Sequence, residues 1–311
     1  MSPGAGAARG TSVAVVAHAR KSLGGGLREL REVLAREGVT DPIWYEVNKS
    51  RKAPKRARRA LKEGAGLIFV WGGDGMVQRC VDELAGTDAV LAILPAGTAN
   101  LLATNLNIPD RLPEAVRVGL HGESRLLDTG LVNGEHFAVM AGAGLDARMI
   151  AGAKRKLKNR LGRAAYLYTG ARSLGATPAT AEVEVDGRPF FTGPASLVLA
   201  GNVGRVLGGI EAFSAAEPDD GLLDLGVVTA ANPVEWVRML GQVALSEAGK
   251  SPFVQLARGK RFEIRFDREQ PYELDGGARH SVTELSIEVC PASISVRVPD
   301  GSPGWAGGGA G

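Results

Sequence analysis

The sequence predicts an α/β protein of two domains, an N-terminal three-layer α/β domain followed by a C-terminal, mainly-β sandwich domain. Three features carry that expectation. Between Val13 and Leu102, short apolar runs alternate with segments of helical period, as parallel strands covered on both faces require. Two of those runs stop in glycine-rich turns. From Arg125 onward the helical segments thin out and strand-like runs dominate. With 311 residues, 44% of them hydrophobic, the chain can fill two cores.

Residues 1–11 and 300–311, rich in Gly, Ala and Pro, read as disordered tails, leaving 12–128 for the first domain and 129–299 for the second. Val13–Ala17 is a buried strand that opens into the basic turn His18-Ala19-Arg20-Lys21-Ser22 and then Gly24-Gly25-Gly26. His18 reads as a hydrogen-bonded histidine at a strand end. Leu27, Leu30, Val33 and Leu34 form one apolar helix stripe, with Arg28, Glu29, Arg31 and Glu32 outside it. Ile43–Val47 is a second strand. Residues 49–62 then carry eight basic side chains and no acid. That is a solvated helix face by default; beside a membrane it would attract anionic headgroups at about 1 kcal/mol per charge.

Leu67–Trp71 is apolar without alternation and breaks at Gly72-Gly73-Asp74-Gly75, with a helix over Val77–Leu84. Val90–Leu94 repeats the plan and breaks at Pro95-Ala96-Gly97-Thr98-Ala99-Asn100. Both turns therefore fall at the carboxyl edge of a parallel sheet, where open α/β sheets bind ligands. Three glycines around one aspartate remove the side chains that would keep a phosphate chain from backbone N–H groups. Asp74 stands where phosphates and a hydrated Mg²⁺ would be, and Thr98 and Asn100 add a hydroxyl and an amide at a helix start. Asn105–Pro109 reads as a loop and 113–120 as a short helix.

Leu126–Val132, the turn Asn133-Gly134 and His136–Met140 make a hairpin, with the domain boundary near Asp128. Gly142-Ala143-Gly144-Leu145-Asp146-Ala147 mimics a dinucleotide fingerprint but lacks the second parallel strand such a site needs. Lys154, Arg155, Lys156, Lys158, Arg160 and Arg163 form a second basic cluster, followed by Tyr166, Leu167 and Tyr168, a set suited either to a membrane interface or to an amphipathic helix packed on the sheet. A hairpin turns at Asp186-Gly187, and 196–202 is a buried strand. Asn232 caps a helix with Pro233 at its first position and Val234, Val237 and Leu240 inward. Arg261–Phe266 is a strand, and Leu285–Val289 with Ile294–Val298 closes the chain as a hairpin turning at Pro291, one strand of which is free to return to the first domain.

GGDG followed some twenty residues later by PAGTAN resembles the diacylglycerol kinase catalytic domain family, which also holds sphingosine and ceramide kinases. Gly142–Ala147, Pro218-Asp219-Asp220-Gly221 with Leu222-Leu223-Asp224, and Asp275-Gly276 extend the resemblance through most of the chain. It implies a phosphofructokinase/NAD kinase-like nucleotide-binding domain at 12–128, a lipid-substrate domain at 129–299, and ATP with Mg²⁺ as cofactors. Gly72, Gly73, Gly75, Gly97, Thr98, Asn100 and Lys21 would bind the nucleotide. Asp74 and Asp275 would be catalytic, Asp275 as general base, with Asp219 and Asp220 as metal contacts. Five positions depart from the family's pattern. Met76 replaces its threonine, Gln78-Arg79 its Asn-Glu, Leu101 an aspartate frequent in bacterial relatives, and Gly277 the glutamate of Asp-Gly-Glu, for which Glu273 offers a substitute carboxylate two residues earlier.

A formal net charge of +3 argues against wholesale nucleic-acid binding. Cys80 and Cys290 lie far apart and fit a reducing cytoplasm. No apolar run approaches the roughly 20 residues of a bilayer span, and the first ten residues lack a signal peptide's apolar core. A cytoplasmic enzyme, peripheral on the inner face of the membrane, would meet its lipid and anionic phospholipid there; a homodimer stays open. The rival readings are a catalytically degraded lipid- or nucleotide-binding relative, an NAD kinase-like enzyme, and an oxidoreductase resting on Gly142–Ala147 alone.

Overall fold

A computed structural model describes residues 12–144, 178–206, 210–244 and 248–301. The first half builds the expected parallel layer. Strands β1 (Ser12–His18), β2 (Ile43–Val47), β3 (Ala65–Gly72) and β4 (Val90–Pro95) lie in the order β2-β1-β3-β4, all parallel. Val15, Val16, Phe69 and Val70 are fully buried because helices cover both faces. Those helices are α1 (Gly26–Arg36), α2 (Ala53–Lys62), α3 (Asp74–Leu84), α4 (Leu101–Asn105) and α5 (Leu112–His121). Helix α2 buries Ala53, Ala57 and Ala60 at helical spacing and turns its basic residues outward.

The second half adds β5 (Glu123–Val132), β6 (Glu135–Phe137), β7 (Met140–Ala143), β8 (Ala179–Val185), β9 (Arg188–Ala195), β10 (Leu197–Gly201), the short pair β11 (Arg205–Val206) and β12 (Ile210–Glu211), and β13 (Leu223–Val228). Helix α6 (Pro233–Ala244) follows, then β14 (Val254–Gly259), β15 (Arg261–Gln270), β16 (Tyr272–Leu274), β17 (Gly277–Ala278) and β18 (Val282–Val298). A ten-stranded sheet runs β2-β1-β3-β4-β18-β15-β8-β9, with β5 against β18 and β6, and so passes through both halves of the molecule. A six-stranded antiparallel sheet, β14-β13-β10-β7-β16-β17, packs on its second half. Phe137, Phe262, Leu225 and Leu274 fill the sandwich between them.

Three local expectations change. Residues 282–298 are one bent strand rather than a hairpin, because both halves pair with β5, from Ile287 opposite Val132 to Val298 opposite Glu123. Pro291 sits in a bulge where the register shifts, with Ala292 at φ 46°; a bulge accommodates the missing N–H of proline. The lower half of β18 then pairs parallel to β4 and enters the first core through Ile294, Val296 and Val298. His136–Met140 is not one strand: it splits into β6 and β7, which belong to different sheets. In α6, Asn232 caps as expected, accepting from Val234 N and Glu235 N, both at 3.1 Å. The inward residues, however, are Trp236 and Met239, while Val234 is 67% and Val237 58% exposed.

Candidate active site

The two glycine turns are built as one unit. A Cβ on Gly73 would come within 2.9 Å of Gly97 Cα, so the turns touch backbone to backbone, and only glycine permits that approach. Asp74, the first residue of α3, bridges them: Oδ2 accepts from Asn100 N at 3.2 Å and Oδ1 from Leu101 N. These are N–H groups at the start of α4, which would otherwise lack partners. Asn100, in the left-handed region at φ 49°, spends its amide inside its own turn, accepting from Gly97 N at 2.8 Å and donating to Pro95 O at 3.1 Å. Thr98 is exposed at the rim. Gly72 backs onto buried Met76, whose side chain would meet any added Cβ. Gly75 differs from these glycines: an added Cβ would meet nothing within 4 Å. Neither packing nor a positive φ explains glycine there.

The β1 turn reaches the same edge. Trp71 Nε1, at the end of β3, donates to Lys21 O at 3.1 Å, which fixes the turn and leaves the Lys21 side chain exposed. His18 Nδ1 accepts from Arg20 N at 3.2 Å, the satisfied strand-end histidine expected. Burial, then the Lys21 charge, holds its pKa below the usual value.

Asp275 arrives from the other domain. With Gly276 it forms the two-residue turn between β16 and β17, at φ 46° and 77°, the left-handed pair that Asp-Gly supplies. Its carboxylate accepts from Val139 N at 2.9 Å and Met140 N at 2.8 Å through Oδ1, and from Ala138 N at 3.0 Å through Oδ2. These N–H groups lie where the chain leaves β6 for β7, so Asp275 satisfies the donors freed at the strand break. Burial pushes its carboxyl up to about 6; the three N–H groups oppose the rise and the Asp74 charge adds to it. Asp74, Asn100, Val139 and Asp275 line one crevice, whose remaining wall is Val77, Ile93, Leu102 and Ala103. Glu273 is buried within β16 and does not line that crevice.

Asp219 and Asp220 do not line the crevice that holds Asp74 and Asp275. Asp220 is taken by Arg258 and by Leu222 N at 2.9 Å. Asp219 lies by Asp128: burial first, then the Asp128 charge, raises its pKa, and its Oδ1 is buried without a hydrogen-bond partner. Among the described residues no group of three or more His, Cys, Asp or Glu is placed to hold a metal ion. In the sequence, Asp128 marks only the domain boundary. It is 2% exposed and ties Gly221 N at 2.6 Å to Ala292 N at 2.7 Å; an aspartate inside an apolar run was the signal. Lys154–Arg163 and Tyr166–Tyr168 lie outside the described residues. Gly142 sits within β7, which pairs antiparallel on both sides, whereas a dinucleotide fingerprint follows a parallel strand, so the oxidoreductase reading loses its basis; Leu145–Ala147 lie outside the described residues.

A parallel domain with paired glycine turns, facing a β-sandwich that lends an acid to the same crevice, defines the class as a two-domain kinase fold. The family model described as the diacylglycerol kinase catalytic domain matches residues 17–132. A second, the YegS C-terminal NAD kinase beta sandwich-like domain, matches 139–298. A Pseudomonas fluorescens protein named "Probable lipid kinase YegS-like" is 34% identical over 254 residues, 81% of this chain and 83% of that protein. The Bacillus subtilis diacylglycerol kinase is 31% identical over 71% of this chain and 75% of its own length. In fold, a diacylglycerol kinase from Bacillus anthracis superposes with a TM-score of 0.71 at 24% identity, covering 92% of this chain and 96% of that one. An Archaeoglobus fulgidus NAD kinase, solved with ATP, superposes at 0.51 and 14% identity over 92% and 93%. The chain belongs to the family of diacylglycerol kinase and YegS-like lipid kinases. No helix among its described residues is long and apolar enough to cross a membrane.

Proposed function

We propose that the protein transfers the γ-phosphate of ATP to a lipid hydroxyl, with diacylglycerol the favoured acceptor and phosphatidic acid the product. The observation that carries this is the meeting of Asp74 and Asp275, from different domains, in one otherwise largely apolar crevice. Phosphoryl transfer asks the protein mainly for positioning and for charge around the transferred group. The backbone around Gly73, Gly75 and Gly97 would face the triphosphate, Gly75 because no side chain stands over the first turn of α3. Lys21 and Arg20 supply positive charge at the same edge. As the lipid oxygen bonds to the γ-phosphorus and the bond to the β–γ bridging oxygen breaks, Asp275 takes the hydroxyl proton and ADP leaves. Its raised pKa leaves it ionised at neutral pH yet basic enough for that task.

Mg²⁺ fits here as an ion carried by phosphates and water, with Asp74 the carboxylate that would hold it, since no all-protein cage exists among the described residues. It would neutralise charge on the β- and γ-oxygens. The substrate side is a membrane, and the exposed basic residues of α2 favour an anionic one.

The test is transfer of label from γ-labelled ATP into extractable lipid across diacylglycerol, ceramide, a sphingoid base and an isoprenoid alcohol, with NAD as a water-soluble acceptor. Label in one lipid supports the reading, and label in NAD alone refutes it. Gly277 and Leu101 favour a second reading, a binding protein with a degraded site. Lipid retained through purification with no ATP consumed would decide for it.

A further inference from the structure

Two positions at which this chain departs from its family meet on one side chain. Arg279 donates through Nη2 to Gln78 Oε1 at 3.1 Å and through Nη1 to Gly277 O at 2.9 Å. Its Nε and Nη2 form a two-pronged pair with Glu135, at 2.9 and 2.7 Å to Oε2. The Arg279 side chain is 10% exposed, and Gln78, which also donates to His136 O at 2.8 Å, is 2% exposed. A Cβ at position 277 would come within 3.0 Å of Arg279 Nη1. Any larger side chain at 277 would have to share that space with the guanidinium, whose end would shift by a few tenths of an ångström.

The geometry of the link gives it a purpose. Gln78 lies one helical turn after Asp74 on the same face of α3. Gly277 closes the hairpin turn that holds Asp275, pairing with Leu274. The guanidinium thus joins the helix that carries one crevice acid to the hairpin that carries the other. A planar fork reaches the three partners from three separate nitrogens, which the single nitrogen of a lysine cannot copy. The guanidinium itself is largely buried, and charge-assisted bonds are the shorter and stronger ones.

We propose that Arg279 is a positioning residue that fixes the spacing of Asp74 and Asp275 across the crevice, in place of any contact made by a glutamate at 277. The activity arm of the test rests on the lipid-kinase reading; the exchange arm does not. Arg279→Met keeps the stem and removes the fork. Expected results are a kcat lowered about tenfold to a hundredfold, the scale of a small misplacement, with the KM for ATP little changed. The acid limb of kcat/KM moves to lower pH, because water reaching a loosened Asp275 relaxes the burial that raised its pKa. Hydrogen exchange quickens at the amides of Ala138, Val139 and Met140, which bond Asp275, while those of β3 and β4 stay protected. Arg279→Lys keeps charge without the fork and is not rescued.

Unchanged exchange at 138–140 in Arg279→Met overturns the proposal, and so does equal loss of protection in β3 and β4, which marks a purely global effect. If Arg279→Met fails to fold, Gln78→Met cuts the α3 link together with the Gln78 bond to His136 O, and the same exchange comparison against β3 and β4 decides. If wild-type protein phosphorylates nothing, the function reading fails while exchange still tests the positioning.

Discussion

Asp275 and Met140 hold each other by reciprocal hydrogen bonds. Met140 N donates to Asp275 Oδ1 at 2.8 Å, and Asp275 N donates to Met140 O at 2.9 Å. The residue proposed as base is therefore also the clamp on the chain between the two sheets. Asp275→Asn is consequently not a silent isostere. One amide NH₂ must face a backbone N–H, at a cost of about 1–3 kcal/mol for the unsatisfied donor. We expect a lower denaturation midpoint and, in protein kept folded, turnover reduced by about 10²–10⁴. Wild-type turnover in folded Asp275→Asn removes Asp275 as base.

The parallel strands, both glycine turns and the Asp275-Gly276 turn were legible because each is a local matter: apolar period, glycine and left-handed φ. The double duty of Asp275 was not, since its partners are more than 130 residues away and arise from a strand break that reads as continuous strand. Asn100 looked like a ligand group because an amide at a helix start is one, yet the tight turn consumes it. Asp219 and Asp220 match a motif, but nothing in the sequence places Arg258 against Asp220. Arg279 carried no motif at all.

Acid affects activity and stability in opposite directions through Asp275. Its folded pKa of about 6 lies above the ordinary 3.8, so between those values the folded chain binds more protons than the unfolded one. Stability from this group therefore rises as pH falls through 6 and is lost as pH climbs back. Asp224, also raised to about 6 by burial, adds the same sign. Activity needs the ionised base and declines below pH 6. Urea unfolding of wild type and Asp275→Asn isolates the term: the stability deficit of the variant should be larger at pH 4.5 than at pH 7. A deficit independent of pH contradicts the assignment.

Gly73 and Gly75 separate packing from binding. Gly73→Ala presses a methyl against Gly97 Cα and should unfold the double turn, lowering stability and nucleotide affinity together. Gly75→Ala meets no neighbour, lies inside a helix, and should leave stability unchanged or raise it by about 0.5–1 kcal/mol. Its KM for ATP should nevertheless rise, by about tenfold if one backbone approach to phosphate is lost. Thermal melts with nucleotide titration check both; normal ATP affinity in Gly75→Ala argues against phosphate over α3.

The basic residues of α2 and of the turn before it are unevenly paired. At the far end of the helix Arg58 pairs with Glu83 at 2.6 Å and Arg59 with Glu63 at 2.9 Å, while Arg56 stacks over Tyr45. In the turn before the helix and in its first turn, Arg51, Lys52 and Lys55 are exposed and enter no ion pair among the described residues. That stretch follows β2, at the same sheet edge as the glycine turns, so an anionic surface drawn there would lie beside the crevice. The triple change Arg51→Gln, Lys52→Gln and Lys55→Gln should weaken binding to vesicles containing phosphatidylglycerol by about a hundredfold at low salt, given the attraction each cation contributes. Phosphatidylcholine vesicles should show no difference, and added salt should shrink the gap, since the charges are screened. Being exposed, the three sites should cost little stability. Equal binding of wild type and the triple variant to anionic vesicles would show that α2 is only a solvated face.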